Sequence, residues 1–152
     1  MRNRQFCVSA LICAAFVVVV LADTVPAAHA QERKAVNLSS TQKLPFSDGI
    51  VVGNTLYVSG EQGTNAKGKL EEGIAAQTRA ALENVRQVLA KAGFSMKNVV
   101  AVNVYLSNIQ DFAAMNKVYG TFFPNPKPTR TTVQAAALVN GARIEISAVA
   151  IR

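Results

Sequence analysis

The order of hydrophobic and polar positions after residue 30 predicts a chain that begins with strands. Three short stretches have the β-branched and aromatic composition of strands. These stretches are residues 35–38, 50–52 and 55–58. Gly53-Asn54, between the second and the third, predicts a hairpin turn. Residues 62–73 contain three glycines, two lysines and no apolar period, and we expect a loop there.

Two later segments have the apolar spacing of helices with one buried face. The first runs over residues 74–92 and is ended by Gly93. The second runs over residues 109–123, and three prolines within the next five residues prevent regular structure from continuing. Residues 99–106, between the helices, alternate as a strand does.

The last two predicted strands complete an α+β pattern. They cover residues 130–138 and 143–151, and Asn140-Gly141 between them predicts a second hairpin. The order β-β-β-α-β-α-β-β predicts one domain, with two helices on one face of a largely antiparallel sheet. Both faces of the last two strands carry apolar or small residues, so we expect a second subunit to cover the face without helices.

The first thirty residues have the layout of a secretory signal peptide. A basic start is followed by an apolar run of 13 residues, 10–22, and then by the small-x-small motif Ala28-His29-Ala30. The run is shorter than the ~20 residues that span a bilayer. We therefore expect a signal peptide at 1–30, a domain at 31–152 and a periplasmic or secreted protein, with no stable membrane anchor after cleavage.

Removal of this leader would limit the catalytic side chains that remain. Both cysteines and the one histidine lie in the leader, so residues 31–152 have no thiol nucleophile, no imidazole base and no Cys or His metal site. Of the 16 Lys and Arg two lie in the leader, and of the 9 Asp and Glu one does, which leaves a net charge of +6. Apart from the adjacent Arg33-Lys34, these cations are spread singly, and they are not interleaved with aromatic residues, so we expect no nucleic-acid partner.

Two charged residues conflict with the pattern around them. Glu145 lies in a strand whose other members are apolar or small, so it is paired, used in chemistry, or faces solvent at an edge. Arg130 comes just after Pro126-Lys127-Pro128, with only Thr129 between, and a guanidinium fixed at a strand end suits a bidentate grip on a carboxylate. A plain surface arginine remains the alternative. The second predicted hairpin would bring Arg130 and Glu145 into one neighbourhood.

Weaker candidates lie elsewhere. Ser59-Gly60 ends a strand and either lets a ligand approach the backbone closely or forms a simple turn. Asn116 and Tyr119 are one helical turn apart and either line a pocket or, for Tyr119, pack in the core or at an interface. Phe46 has the character of a packing residue.

At this point several motifs resemble a known family. The most specific is Pro128-Thr129-Arg130 followed by Ile144-Glu145-Ile146. The others are Pro45-Phe46-Ser47-Asp48-Gly49, Leu56-Tyr57-Val58-Ser59-Gly60, Leu82-Glu83-Asn84-Val85, and Asn116-Lys117-Val118-Tyr119 with Phe122-Phe123. On these motifs, residues 31–152 are similar to the RidA (YjgF) family of imine deaminases over nearly their whole length.

The resemblance implies a chorismate-mutase-like fold, a homotrimer with active sites between subunits, and a hydrolase that acts on reactive 2-imino acids. Such enzymes convert 2-iminobutanoate or 2-iminopropanoate to the 2-keto acid and ammonia, with neither metal nor organic cofactor. Arg130 would hold the substrate carboxylate and Glu145 would activate water. The resemblance also implies substrate binding by six further residues, namely Phe46, Ser59, Gly60, Asn116, Tyr119 and Thr132.

Three positions depart from the best-studied branch of that family. Phe46 replaces a usual Tyr, Glu61 a usual Gln, and Thr132 a usual Cys. We expect these changes to alter substrate preference and rate more than the reaction type. Two other functions are attributed to relatives: a non-catalytic trimer that binds small molecules or acts as a holdase chaperone, and RNA cleavage. Export argues against RNA cleavage.

Overall fold

The computed structural model describes residues 31–39 and 45–152, so the predicted signal peptide lies outside the described residues. Two α-helices and six strands make up this part, with single 3-10 turns between some of them. The helices are α1 (Gly73–Lys91) and α2 (Phe112–Tyr119). The strands are β1 (Arg33–Val36), β2 (Gly49–Val52), β3 (Thr55–Gln62), β4 (Val99–Leu106), β5 (Thr129–Gln134) and β6 (Ile144–Ile151). The predicted order of elements is therefore confirmed.

One sheet contains all six strands, in the order β1-β2-β3-β6-β4-β5. Every neighbouring pair is antiparallel except β4 and β5, which α2 connects as a parallel crossover. The predicted hairpin between β2 and β3 is confirmed, with Val52 opposite Thr55. The architecture agrees with the predicted α+β fold, in which a mixed sheet carries two helices.

The predicted hairpin between β5 and β6 is wrong, because β4 lies between these strands. Asn140 and Gly141 do form a turn with left-handed backbone, at φ 60° and 72°. However, β5 ends at Gln134, and the backbone N–H of Ala135 donates to Leu106 on β4 before the chain leaves the sheet. The turn therefore joins a loop to β6 rather than two paired strands.

The second helix is also shorter than predicted. A 3-10 turn occupies Ile109–Asp111, α2 ends at Tyr119, and hydrogen-bonded turns follow to Phe122. The apolar period continues through these turns because Phe123 still packs in the core, although the backbone is no longer helical.

The core lies between the two helices and one face of the sheet. The central strands contribute Val102, Val104, Ile144 and Ile146, all almost fully buried. Helix α1 presents a buried stripe at the spacing expected of an amphipathic helix. This stripe consists of Ile74, Gln77, Thr78, Ala81, Leu82, Val85, Val88 and Leu89.

The opposite face of the sheet has no helix over it. On this open face Tyr57 is 53% exposed and Val133 is 44% exposed. The side-chain amide of Asn103 on β4 donates to the hydroxyl of Ser147 on the neighbouring strand β6. Apolar side chains with this exposure fit the expectation that another subunit covers the face. In the described residues no helix is long and apolar enough to cross a membrane.

Candidate functional site

Glu145 lines a cavity of about 510 Å³ at the free edge of β3. The register of β2 with β3 ends at Gly49, opposite Val58, and the backbone N–H of Ser59 donates to the Asp48 carbonyl, so among the described residues no strand pairs with residues 60–62 on that side. Phe46 reaches the cavity from the loop before β2 and is 57% exposed. The cavity is lined by Phe46, Asp48, Ser59, Gly60, Glu61, Gln62, Thr64, Val139, Asn140 and Glu145.

Two neighbours on β3 position the Glu145 carboxylate. The side-chain amide of Gln62 donates to Glu145 Oε2 at 3.2 Å and to the Val139 carbonyl at 3.0 Å. Gly60 leaves room for the carboxylate, because a Cβ on Gly60 would overlap Glu145 Oε1. Gly60 and Glu145, both sequence candidates, thus meet. Sequence reasoning missed Gln62, since only the register that pairs it with Glu145 reveals the contact.

Three carboxyl groups line the cavity, and the pKa of one of them, Glu61, is raised there. Burial raises the pKa of Glu61 from 4.5 to about 7, and the negative charges of Asp48 and Glu145 add to the rise. No hydrogen bond to the Glu61 side chain is present among the described residues. A group with such a pKa is protonated for part of the physiological pH range, when it is uncharged like a glutamine side chain.

We expect Glu61→Gln to stabilise the protein at high pH. Because the raised pKa means that the folded state holds the proton more tightly, wild-type stability falls as pH rises from 4.5 towards 7. Glutamine does not titrate, so at about pH 8 the variant should exceed wild type by about 2 kcal/mol, after allowance for partial exposure. Urea unfolding at several pH values measures this difference.

The difference should vanish at about pH 3, well below the ordinary value of 4.5, where the Glu61 carboxyl is protonated in both the folded and the unfolded state. Glu32→Gln provides the matched control, since Glu32 is exposed in the first described residues. A stability gain that is the same at every pH, or that Glu32→Gln reproduces, would contradict the assigned shift.

Arg130 forms the second part of the site, below α2. Its guanidinium carbon lies 4.5 Å from the centre of the Tyr119 ring and 5.6 Å from that of Phe112. Both aromatic residues belong to α2, so the helix braces the arginine by cation–π contact. Within residues 31–39 and 45–152, no carboxylate or carbonyl is bonded to this guanidinium. Its donors are therefore available to a ligand.

Two hydroxyl groups beside Arg130 are buried and lack partners. Tyr119 Oη and Thr132 Oγ1 have no hydrogen-bond partner within the described part of the chain. Burial raises the pKa of Tyr119 to about 12, although the Arg130 charge opposes the rise, so the phenol stays protonated. Buried polar groups without partners are rare in native proteins. The two hydroxyls therefore indicate that a ligand or another subunit completes this part of the site. Asn116 is half-buried on α2, one turn before Tyr119.

Arg130 and Glu145 do not meet within one chain, contrary to the hairpin prediction. Arg130 pairs with Val102 and shares the helix-covered face, whereas Glu145 pairs with Tyr105 on the open face. In this register their Cα atoms are two strand spacings apart across the sheet and three residues apart along it, a distance of about 14 Å. Of the six substrate-binding candidates, Asn116 lies on α2 one turn before Tyr119, and the other five divide likewise. Phe46, Ser59 and Gly60 lie with Glu145, and Tyr119 and Thr132 with Arg130.

A part-buried ion pair that sequence reasoning missed, between the part-exposed side chain of Arg143 and the buried Asp111, connects the two parts. Arg143 donates to both carboxylate oxygens of Asp111, at 3.0 and 2.6 Å. The backbone N–H of Arg143 donates to the Gln77 side chain at 2.8 Å, which ties the start of β6 to α1. The start of β6 is thereby fixed to α1 and to the segment before α2. A lone Asp and a lone Arg 32 positions apart give no local signal of this contact.

The arrangement offers a cationic grip and a carboxylate base as separate parts. Arg130 can hold a planar carboxylate through two parallel hydrogen bonds. Glu145 lies in a cavity wide enough for water and is oriented by Gln62, as a general base requires. In the described part of the chain, no group of three or more His, Cys, Asp or Glu is placed to hold a metal ion.

Known proteins share both sequence and fold with this chain. A family model described as Endoribonuclease L-PSP matches residues 38–152. A RutC family protein of Pyrococcus horikoshii is 41% identical over 108 residues, 70% of this chain and 86% of that protein. The human 2-iminobutanoate/2-iminopropanoate deaminase is 40% identical over 110 residues, 71% and 80% of the two chains. The crystal structure of the Escherichia coli YjgF gene product has a TM-score of 0.74 at 31% identity and covers 78% and 98%. The chain therefore belongs to the RidA (YjgF) family.

Proposed function

We propose that the protein is a homotrimeric deaminase that hydrolyses 2-imino acids to 2-keto acids and ammonia. One observation carries the proposal: in the part of the chain that the structure describes, the Arg130 guanidinium is braced by two aromatic rings, bonded to no carboxylate, and accompanied by two buried hydroxyls without partners. This arrangement suits a small substrate with a carboxylate. The human relative named as a 2-iminobutanoate/2-iminopropanoate deaminase supports the choice of reaction.

In the proposed reaction, Arg130 fixes the substrate carboxylate by two charge-assisted hydrogen bonds. The hydroxyls of Tyr119 and Thr132 donate to the same end of the substrate, which relieves their burial without partners. Fixing this end places the C=N carbon, and positioning of this kind supplies much of the acceleration for an electrophile that is already reactive.

Glu145 then acts on water. It takes a proton as the water oxygen bonds to the carbon of the protonated imine, which leaves a carbinolamine. The amine accepts that proton, and the C–N bond breaks with its electron pair going to nitrogen. The hydroxyl proton passes through Glu145 to ammonia as the C=O bond forms, so Glu145 ends as it began. No cofactor enters this balance.

The trimer supplies what one chain lacks. Since Arg130 and Glu145 lie on opposite faces of the sheet, a single chain cannot place both at one substrate. In the proposed trimer, the open face of one subunit packs near the Arg130 end of its neighbour. Each active site then takes Arg130 from one subunit and Glu145 from the next.

We also propose that the protein is exported and acts in the periplasm or outside the cell. The leader-like sequence of residues 1–30 supports this, and amino-acid-oxidising enzymes in the same compartment would supply the imines. Cell fractionation tests the proposal, and recovery of the protein from the cytosol alone would refute it.

Glu145→Gln is expected to lower imine hydrolysis by about 10²- to 10⁴-fold, because the amide cannot accept a proton from water. An amino-acid oxidase generates imines from a series of amino acids, semicarbazide traps them, and active enzyme reduces the semicarbazone signal. Glu71→Gln is a suitable control, as Glu71 lies in the loop before α1 and does not line the Glu145 cavity.

Wild type that leaves the semicarbazone signal unchanged for every amino acid would refute the deaminase. The remaining function would then be a non-catalytic trimer that binds small molecules or acts as a holdase. Equal activities of wild type and Glu145→Gln would instead keep the reaction and remove Glu145 as its base.

A further inference from the structure

Three neighbouring concavities at one end of the molecule are lined by cations and, among residues 31–39 and 45–152, by no carboxylate side chain. The first, about 560 Å³, lies beside β1 and the end of α1. The second, about 570 Å³, lies beside the turns that follow α2, and the third, about 500 Å³, beside the prolines before β5. We call their cations the basic face: Lys34, Lys91 and Arg152 in the first, Arg86 and Lys97 in the second, and Lys97 and Lys127 in the third.

The three concavities form one continuous surface. Lys97 and Pro124 line both the second and the third. Phe94 lines the second and lies 4.6 Å under the guanidinium of Arg152, which lines the first. The basic face therefore extends from the edge strand β1 to the segment before β5.

Most charges of the basic face are not neutralised by the protein. Within the described residues only Arg86 has a carboxylate partner, Glu83. Lys127 donates to the carbonyls of Gly120 and Phe123, which fixes its ammonium group without removing its charge. The end of α1 attracts a cation such as Lys91 through the helix dipole, but that accounts for one charge rather than six.

The cavity at the opposite end of the sheet has an acidic lining. Among the described residues, the Glu145 cavity is lined by three carboxylates and by no Lys or Arg. Because the two ends carry opposite charge, the electric field of the protein orients the basic face towards a large anionic surface during association.

The kind of anion follows from the other side chains present. Recognition of single-stranded nucleic acid relies on exposed aromatic rings between the cations. Within the described residues the exposed aromatics are Phe46, Tyr57 and Phe112, and none of them lines the three concavities. The second concavity is instead apolar between its cations, with Met96, Phe122 and Pro124 in its wall. Cations around an apolar recess suit an anionic lipid surface.

We propose that the basic face docks reversibly on a membrane surface rich in anionic lipid. The open face of the sheet and the Glu145 cavity take no part in this contact. A trimer would present three basic faces, and this multivalency would strengthen binding to a fluid surface.

Vesicle co-sedimentation tests the proposal, with phosphatidylcholine vesicles that contain about one third phosphatidylglycerol and with pure phosphatidylcholine vesicles. The test variant is Lys34→Glu, Lys91→Glu, Lys97→Glu. The control is Lys67→Glu, Lys69→Glu, Arg79→Glu, which changes the net charge equally at exposed positions elsewhere. Both are made in the full chain, so any contribution of residues 1–30 cancels between them.

We expect wild type and the control variant to bind the anionic vesicles, and the basic-face variant to bind at least about tenfold more weakly. Raising NaCl from about 50 to about 500 mM should release the bound protein. Imine hydrolysis should be the same in all three proteins, which separates this result from the fate of the proposed function. Equal loss in both variants, absence of any preference for anionic vesicles, or tighter binding to a single-stranded oligonucleotide would overturn the proposal.

Discussion

Arg130→Ala should lower kcat/KM for 2-imino acids by about 10³-fold while the protein remains folded. The guanidinium carries the proposed bidentate hydrogen bonds to the carboxylate, and the residues described around it, Phe112, Tyr119 and Thr132, are uncharged. Its loss also leaves Tyr119 Oη and Thr132 Oγ1 without the ligand atoms they would bond. Steady-state kinetics with several imino acids measures the effect.

Two controls separate this role from a structural one. Arg130→Lys keeps the positive charge but loses the planar fork, so it should recover only part of the activity. Arg79→Ala removes an exposed arginine from α1 and should be silent. An imine without a carboxylate should be hydrolysed equally by wild type and Arg130→Ala. A large loss on that substrate as well would show that Arg130 acts through the fold instead of through the substrate carboxylate.

The helices and the core were predictable because their signals are local. The predicted helix 74–92 differs from α1 (Gly73–Lys91) by one residue at each end, since a 3.6-residue apolar period and a following Gly93 specify it directly. The predicted helix 109–123 is longer than α2, because burial of Phe123 maintains the apolar period after the helical backbone has ended.

Strand pairing was predictable only where a turn and its strands are adjacent. Gly53-Asn54 joins paired strands, whereas Asn140-Gly141 has the same local chemistry and does not. The difference is that the end of β5 already bonds to β4, a partner some 30 residues earlier in the chain. Turn composition fixes φ at two residues and contains no information about such a distant partner.

The chemistry of the site could be predicted from residue types, but its assembly could not. Glu145 and Arg130 were conspicuous because each is charged in a setting that disfavours free charge. Their placement on opposite faces depends on the register of β4 with both β5 and β6. Gln62, Asp111 and Arg143 became visible for the same reason only in the structure, since their contacts join segments far apart in sequence.

Mixing two inactive variants should restore activity if each site is shared between subunits. In a cyclic trimer built from Arg130→Ala and Glu145→Gln chains, every mixed arrangement contains one boundary where an intact Arg130 faces an intact Glu145. Purified mixed trimers should therefore recover about one third of wild-type activity. Co-expression of the variants with two different tags and tandem purification isolates these species for the imine assay.

The control replaces the Arg130→Ala chains with chains that carry both substitutions. Such mixed trimers contain no intact Glu145, so they should remain inactive whatever the arrangement. A site formed within one chain would leave both mixtures inactive, because neither variant has an intact pair of its own. Recovery in the first mixture alone therefore requires that Arg130 and Glu145 come from different subunits. Because the two residues lie on opposite faces of the sheet in one chain, a substrate that touches both must bind between two subunits.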